Sequence, residues 1–315
     1  MPDLERAVDT VIADCLGVAA GENVLVVVDA ATRELGDALR LRAAAAGADA
    51  VLALMDERED NGTEPPPPVA AALAATDVFV APTSKSLSHT RARKSASDAG
   101  ARGATMPGVT TDMLARVMAV DFAELRSRSA AVARALSDAD EAHLTCPLGS
   151  DMRFDLQGRD GISDDGDLSA PGAFGNLPCG EGFIAPAGGE GTAIASSLAA
   201  IGLASEPAQL TVREGRLTEA TGPEGGRLLD ALRAHGDAGV NLAELGVGTN
   251  DRATLTGNVL EDEKILGTVH VAFGASAGIG GTVAVPIHLD VVVLDATLTV
   301  DGQPILEAGR LVVEA

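Results

Sequence analysis

The sequence predicts a two-part α/β chain. An open parallel α/β sheet domain spans residues 1–120, and a mostly antiparallel α+β domain spans 121–315 and carries a metal site. Three observations predict this. Short aliphatic runs alternate with helical patterns through the first third, which is the rhythm of βαβ units. A long helical pattern over Asp121–Leu136 then reads as a connector. From His143 onward the strands shorten and glycine, proline and turns become frequent. A length of 315 residues suits two modest domains.

The elements follow in order. Val24–Val28 is a continuous apolar run, as expected of a strand buried on both faces. A helix is predicted from Thr32, a candidate N-cap, to Ala46, with Gly47 as its stop. Val51–Leu54 is the second strand. Asn61–Pro68, with four consecutive prolines, is predicted as loop, and a helix near Val69–Ala75 follows. Asp77–Ala81 and Ala104–Met106 are the third and fourth strands, with a helix over Ser88–Ala99 between them. In the second half, strands are predicted at Asp151–Leu156, Ala208–Val212, Thr268–Phe273, Thr282–Val285, His288–Leu294, Ala296–Val300 and Arg310–Val313. One helix, Gly226–Ala234, interrupts them.

Composition narrows the function. The formal charge of −23 disfavours nucleic acid, whose phosphates need Lys and Arg to displace counterions, and also anionic membranes. Three widely spaced cysteines, Cys15, Cys146 and Cys179, suggest a reducing compartment without a disulfide framework. The first residues lack a signal-peptide core, and no apolar run approaches the ~20 residues of a membrane helix. A cytoplasmic, soluble protein is therefore expected. The turn after the first strand, Asp29–Arg33, has neither G-x-G-x-x-G nor a P-loop, so the doubly wound start does not imply a nucleotide.

Chemistry concentrates near the C-terminus. His270 lies in the predicted strand Gly267–Phe273, and His288 and Asp290 lie in Val285–Val293. Strand alternation points His288 and Asp290 to one face, and a neighbouring strand can bring His270 to it. Two imidazoles and a carboxylate on a rigid face can hold a divalent metal with positions open for substrate. Glu181 and Glu244 are single carboxylates in what read as glycine- and proline-rich loops, Gly175–Pro186 and Ala243–Asn250. Each is either a loop-end acceptor or a placed functional group.

Four segments together resemble the aminopeptidase T-type metallo-aminopeptidases. They are the Asn-Leu-Pro-x-Gly-Glu stretch at 176–181, Glu-x-Gly-x-Gly-Thr-Asn at 244–250, Glu263-Lys264-Ile265-x-Gly-Thr-x-His270, and His288-x-Asp290. The resemblance covers the C-terminal domain well and the N-terminal domain weakly. It implies a homodimer and a site of two divalent ions (Zn, Co or Mn) held by Glu181, Glu244, His270, His288 and Asp290. The chain departs from the peptidase members at one position. They carry a tyrosine a few residues after the histidine matching His270, whereas Gly274–Gly278 holds none and the chain has no tyrosine. The same segments are also similar to the 2,5-dihydroxypyridine dioxygenases, in what looks like one superfamily. That second resemblance implies a single non-haem Fe(II) held by His270, His288 and Asp290.

His89 follows the third strand's C-terminal end, the edge at which open α/β sheets bind ligands. It is a candidate acid, base or substrate clamp facing the metal across a domain cleft; the alternative is a solvated first-turn residue. Lys264 either balances the anionic site or pairs with Glu261 or Asp262. Cys179 reads as a small buried filler. The sequence thus predicts a metal-dependent hydrolase acting on a peptide or small molecule, with Glu181 and His89 as its catalytic candidates. The alternatives are a mononuclear iron ring-cleaving dioxygenase and a non-catalytic binding protein on the same scaffold.

Overall fold

A computed structural model describes residues 2–313. The chain forms two compact units: one runs through Val120 and includes Gly166–Cys179, and the other comprises Asp121–Asp165 and the chain from Gly180 on. A single boundary at 120 therefore misassigns the segment 166–179, which returns to the first unit.

The first unit contains α1 (Pro2–Asp9), continued by a π-helical turn, then β1 (Asn23–Val28), α2 (Arg33–Ala45) and β2 (Asp49–Leu54). It continues with α3 (Pro67–Leu73), β3 (Val78–Ala81), α4 (Arg91–Asp98), β4 (Arg102–Thr105) and α5 (Thr111–Val117). Pro67 and Pro68 open α3 instead of ending a loop: their missing N–H groups are ones a first helical turn leaves unpaired anyway. Thr32 flanks α2 but does not cap it, because its hydroxyl donates to the Pro82 carbonyl at 2.5 Å. Gly36 lets α2 lie against the sheet, since a Cβ there would sit 2.2 Å from Val28 Cγ1.

The second unit begins with α6 (Phe122–Ser137), capped by Asp121, whose carboxylate accepts from the Ala123 and Glu124 amides. It continues with β5 (Glu141–Thr145), β6 (Asp151–Asp155) and β7 (Ile162–Asp164). The chain then supplies β8 (Phe174–Asn176) to the first unit, completing a parallel sheet in the order β2-β1-β3-β4-β8. No aliphatic run marks β8, so its sequence gave no strand signal.

The remaining strands are β9 (Glu181–Ile184), β10 (Gly188–Leu198), β11 (Gly202–Arg213), β12 (Arg216–Ala220) and β13 (Leu242–Gly248). After them come β14 (Val269–Gly274), β15 (His288–Val293), β16 (Thr297–Val300), β17 (Gln303–Glu307) and β18 (Arg310–Leu311). Helices α7 (Gly222–Arg233), α8 (Gly236–Gly239) and α9 (Val259–Asp262) are interspersed. The strands of the second unit form an antiparallel sheet in the order β18-β17-β16-β5-β6-β10-β15-β14-β13-β9-β7, with β11 and β12 beside β10. Strand β10 joins its halves, pairing with β6 through Gly188–Thr192 and with β15 through Ser197–Leu198. Thr282–Val285 is not a strand. Ser276 and Ala277 donate their amides to the Val283 carbonyl, closing a glycine-rich loop.

The core of this unit unites Val132 and Leu136 of α6 and Leu228 and Leu232 of α7 with Phe154, Phe273 and Val291, all at most 1% exposed. Each such side chain contributes roughly 1.5–3 kcal/mol by leaving water. Strands β13, β14 and β15 are therefore anchored on their core face, which leaves the other face available for polar residues. No helix among the described residues is long and apolar enough to cross a membrane.

Candidate metal centre

The register of four adjacent strands builds the site. Asp290 lies opposite Ala272 and His288 opposite Gly274. His270 lies opposite Val292 on one side and Gly246 on the other. Glu244 lies opposite Ala272, and Glu181 opposite Gly248. Side chains two residues apart share a face, so all five candidate ligands project to one side of the sheet. The residues between them are Ala272, Gly246, Gly248 and Gly274, which leave room. Glu181 and Glu244 are thus strand residues, each 6% exposed, and not loop residues as the glycines around them suggested.

Gly246 has a specific task. A Cβ there would lie 2.0 Å from His270 Nε2 and 2.3 Å from its Cε1, so only glycine lets the imidazole lie across β13. Gly248 serves the neighbouring turn: a Cβ would meet the Ile265 carbonyl oxygen at 2.1 Å and the Glu263 oxygen at 2.8 Å. The alternating Glu-x-Gly-x-Gly wording is therefore one face of one strand, a ligand followed by two clearances.

The five side chains form two overlapping groups, Glu181–Glu244–His270 and Glu244–His288–Asp290. Glu244 belongs to both, with Oε1 at 3.2 Å from His270 Nε2 and Oε2 at 3.3 Å from His288 Nε2. Asp290 Oδ1 is 3.3 Å from His288 Nε2, and Glu181 Oε2 is 3.1 Å from His270 Nε2. His270, His288 and Asp290 do not form a compact triad by themselves among the described residues, because His270 is diagonal to Asp290 in the register. His288 Nδ1 donates to the Ala275 carbonyl at 2.8 Å, which directs Nε2 at the carboxylates. His270 Nδ1 is buried with no hydrogen-bond partner, so the Gly246 cradle orients that ring.

The turn after α9 brings in Lys264, 1% exposed. Its Nζ lies 2.5 Å from Glu181 Oε1, 2.7 Å from Glu263 Oε1 and 3.6 Å from Asp164 Oδ2. Glu261 and Asp262 face away from it. Glu261 accepts from Thr254, and Asp262 accepts from Thr256, Gly257 and Ser197. Sequence reasoning missed Asp164 and Glu263. Asp164 lies on the short strand β7, whose pairing with β9 sets it opposite Glu181.

The electrostatics suit a cation among these carboxylates. Burial opposes charge on His270, but the Glu181 and Glu244 carboxylates outweigh it and hold its pKa well above the imidazole value. Asp290 and Glu244 do the same for His288 against its burial. Burial works to raise Glu244, yet the hydrogen bonds from both histidines bring it below the usual carboxylate range. Burial pushes Asp164 up to about 7 and Glu263 up to about 8, with the Lys264 ammonium offsetting part of the rise. Burial opposes charge on Lys264 too, and its three carboxylates hold it well above its usual value.

These residues fit a divalent ion. Imidazole and carboxylate donors suit Fe(II), Zn(II) and Mn(II). The Glu181 Oε2 atom is buried without a hydrogen bond, close to His270 but out of alignment with it. The protons stabilised on the two imidazoles are ones an incoming ion displaces.

His89 is exposed in the turn before α4, in the N-terminal unit. Its neighbour Thr90 caps that helix by accepting from the Arg93 amide. Cys179 is fully buried and belongs to neither ligand group. His143 pairs with Asp151 at 2.7 Å on adjacent strands of the second unit, remote in sequence from the ligands.

The family model of NicX, 2,5-dihydroxypyridine 5,6-dioxygenase, matches residues 4–313, almost the entire chain. The chain belongs to this family. Among solved structures it is similar to 2,5-dihydroxypyridine dioxygenase from Pseudomonas putida KT2440, with a TM-score of 0.83 and 19% identity over 99% of this chain and 97% of that one. It is also similar to wild-type AmpT from Thermus thermophilus, with a TM-score of 0.72 and 18% identity over 99% of each chain. At these identities the likeness to both structures establishes the fold alone. No curated protein sequence matches the chain.

Proposed function

We propose that this chain is a ring-cleaving dioxygenase that uses one non-haem Fe(II) and acts on a dihydroxylated nitrogen heteroaromatic such as 2,5-dihydroxypyridine. The observation that carries the reading is the NicX family match across residues 4–313, joined to an imidazole–carboxylate face at the partly open end of the site. The family match favours this reading over the hydrolase that the sequence predicts. The missing tyrosine points the same way.

His270, His288 and Asp290 would hold the ion together with Glu244, whose two oxygens link His270 to the His288–Asp290 pair. Bound Fe(II) would supply the centre at which O₂ is activated and the substrate hydroxyl is chelated. The chain's own residues divide the remaining work. His288 is held by its Nδ1–H bond to Ala275, so Nε2 is the nitrogen left to ligate once its proton is displaced. Glu181 Oε2, buried without a hydrogen bond beside His270, would face the ion and the substrate hydroxyl chelated there. The buried strands β13 and β14 form the floor on which these groups stand.

Anaerobic reconstitution with Fe(II), followed by O₂ uptake with 2,5-dihydroxypyridine, tests the proposal. One mole of O₂ consumed per mole of ring opened is expected. No uptake by protein loaded with one iron would refute it.

A second reading has one specific observation in its favour. Glu244 belongs to both ligand groups, as a carboxylate bridging two ions would. Peptide hydrolysis by protein holding two Zn, Co or Mn ions per chain would establish that hydrolase instead.

A further inference from the structure

We propose that Lys264 is a positioning residue that divides the two oxygens of Glu181, anchoring Oε1 and leaving Oε2 alone to serve the metal centre. The proposal rests on the metal-dependent reading of the site but not on which reaction the site performs.

Three features on separate elements converge on this role. Asp164 and Glu181 are directly opposed on β7 and β9, and like charges in that relation destabilise a sheet unless a cation intervenes. Lys264 Nζ is that cation, within 2.5 Å of Glu181 Oε1 and 3.6 Å of Asp164 Oδ2. Next, the turn carrying Lys264 reaches Glu181 only because position 248 is glycine: a side chain there would strike the backbone of Glu263, Lys264 and Ile265. The clearance thus admits the turn that carries Lys264. Finally, the two oxygens of Glu181 have different surroundings. Oε1 is taken by Lys264, while Oε2 has no hydrogen bond and lies 3.1 Å from His270 Nε2.

A carboxylate free at both oxygens can rotate and bind an ion through both. One pinned at Oε1 presents a single oxygen in a fixed direction. Orienting partners of this kind typically change metal affinity by ~10–100-fold when removed. Glu263 shares the ammonium at 2.7 Å but has no hydrogen bond to Glu181 among those described.

The test uses the full-length protein loaded with Co(II), whose visible spectrum reports coordination. Lys264→Met is expected to lower Co(II) affinity about tenfold and to shift the visible bands as Glu181 turns. Glu263→Gln, which perturbs the same buried cluster from the other side, is expected to leave the bands in place. If Lys264→Met fails to fold, Lys264→Gln, which keeps a polar group for Glu263, is read the same way with the same expectation. Unshifted bands in the folded lysine variant overturn the proposal, as does an equal shift in Glu263→Gln. Failure of the mononuclear iron reading is seen separately, as two ions per wild-type chain whatever the variants do.

Discussion

Gly246→Ala should disable the metal centre by a single methyl group. The added Cβ would sit 2.0 Å from His270 Nε2, and ordinary contact needs ~3.5 Å, so the ring must withdraw by roughly 1.5 Å. Metal–ligand distances tolerate only about 0.2 Å. His270 is fully buried and its Nδ1 has no hydrogen-bond partner, so no alternative hydrogen bond guides it to a second productive position. Overpacking of this kind costs about 1–3 kcal/mol of stability, small enough for a folded protein. Loss of a primary ligand should exceed the ~10–100-fold typical of an outer partner, so metal affinity should fall by at least about a hundredfold. The assay is Co(II) or Fe(II) titration of metal-free protein, with circular dichroism as the check on folding. Gly226→Ala is the control. It lies inside α7 with nothing near its added Cβ, and should be neutral or stabilising by about 0.5–1 kcal/mol. Wild-type affinity in folded Gly246→Ala would refute the cradle and the assignment of His270 to the centre.

Other perturbations probe the site and its supports. Glu244→Gln replaces one of the two oxygens that face His270 and His288. One iron should remain with at least tenfold weaker affinity, and a drop from two ions to one on elemental analysis would instead favour the hydrolase. Metal affinity should rise with pH, because an ion must displace the protons held on both imidazoles; isothermal titration at several pH values with no proton release on binding would contradict this. Asp262→Asn weakens the acceptor for Thr256, Gly257 and Ser197, and should cost about 1–3 kcal/mol in urea unfolding; an unchanged urea midpoint would show that the 254–257 loop is held otherwise. In the first unit, hydrogen bonding from Arg102 holds Glu22 below its usual pKa against partial desolvation. Its stabilisation is therefore complete above the ordinary carboxylate range and is lost as pH falls through the lowered value. Arg102→Met should be least stable relative to wild type at neutral pH, with the gap narrowing in acid; a pH-independent gap would rule out the ion pair as its source.

The sequence by itself determined what local chemistry determines. Aliphatic runs such as Val24–Val28 and Val78–Ala81 are strands because both their faces are buried, and Asp121 starts α6 because its carboxylate caps the first turn. The identity of the five candidate ligands was legible because His, Asp and Glu stand alone among apolar and glycine neighbours, and their order resembles known families. What was not legible depends on partners distant in the chain. Strand β8 has no aliphatic signal and exists because β4 offers it an edge. Glu181 and Glu244 looked like loop residues, since glycine reads as a turn signal unless a neighbouring side chain needs the space a Cβ would fill. Asp164 became part of the site only through the β7–β9 register, and Lys264 chose Glu181 over its sequence neighbours Glu261 and Asp262 because those carboxylates were already engaged by a loop. Which side chains a residue resembles is written locally; which of them it touches is set by strand pairing across many residues, and only the tertiary structure decides that.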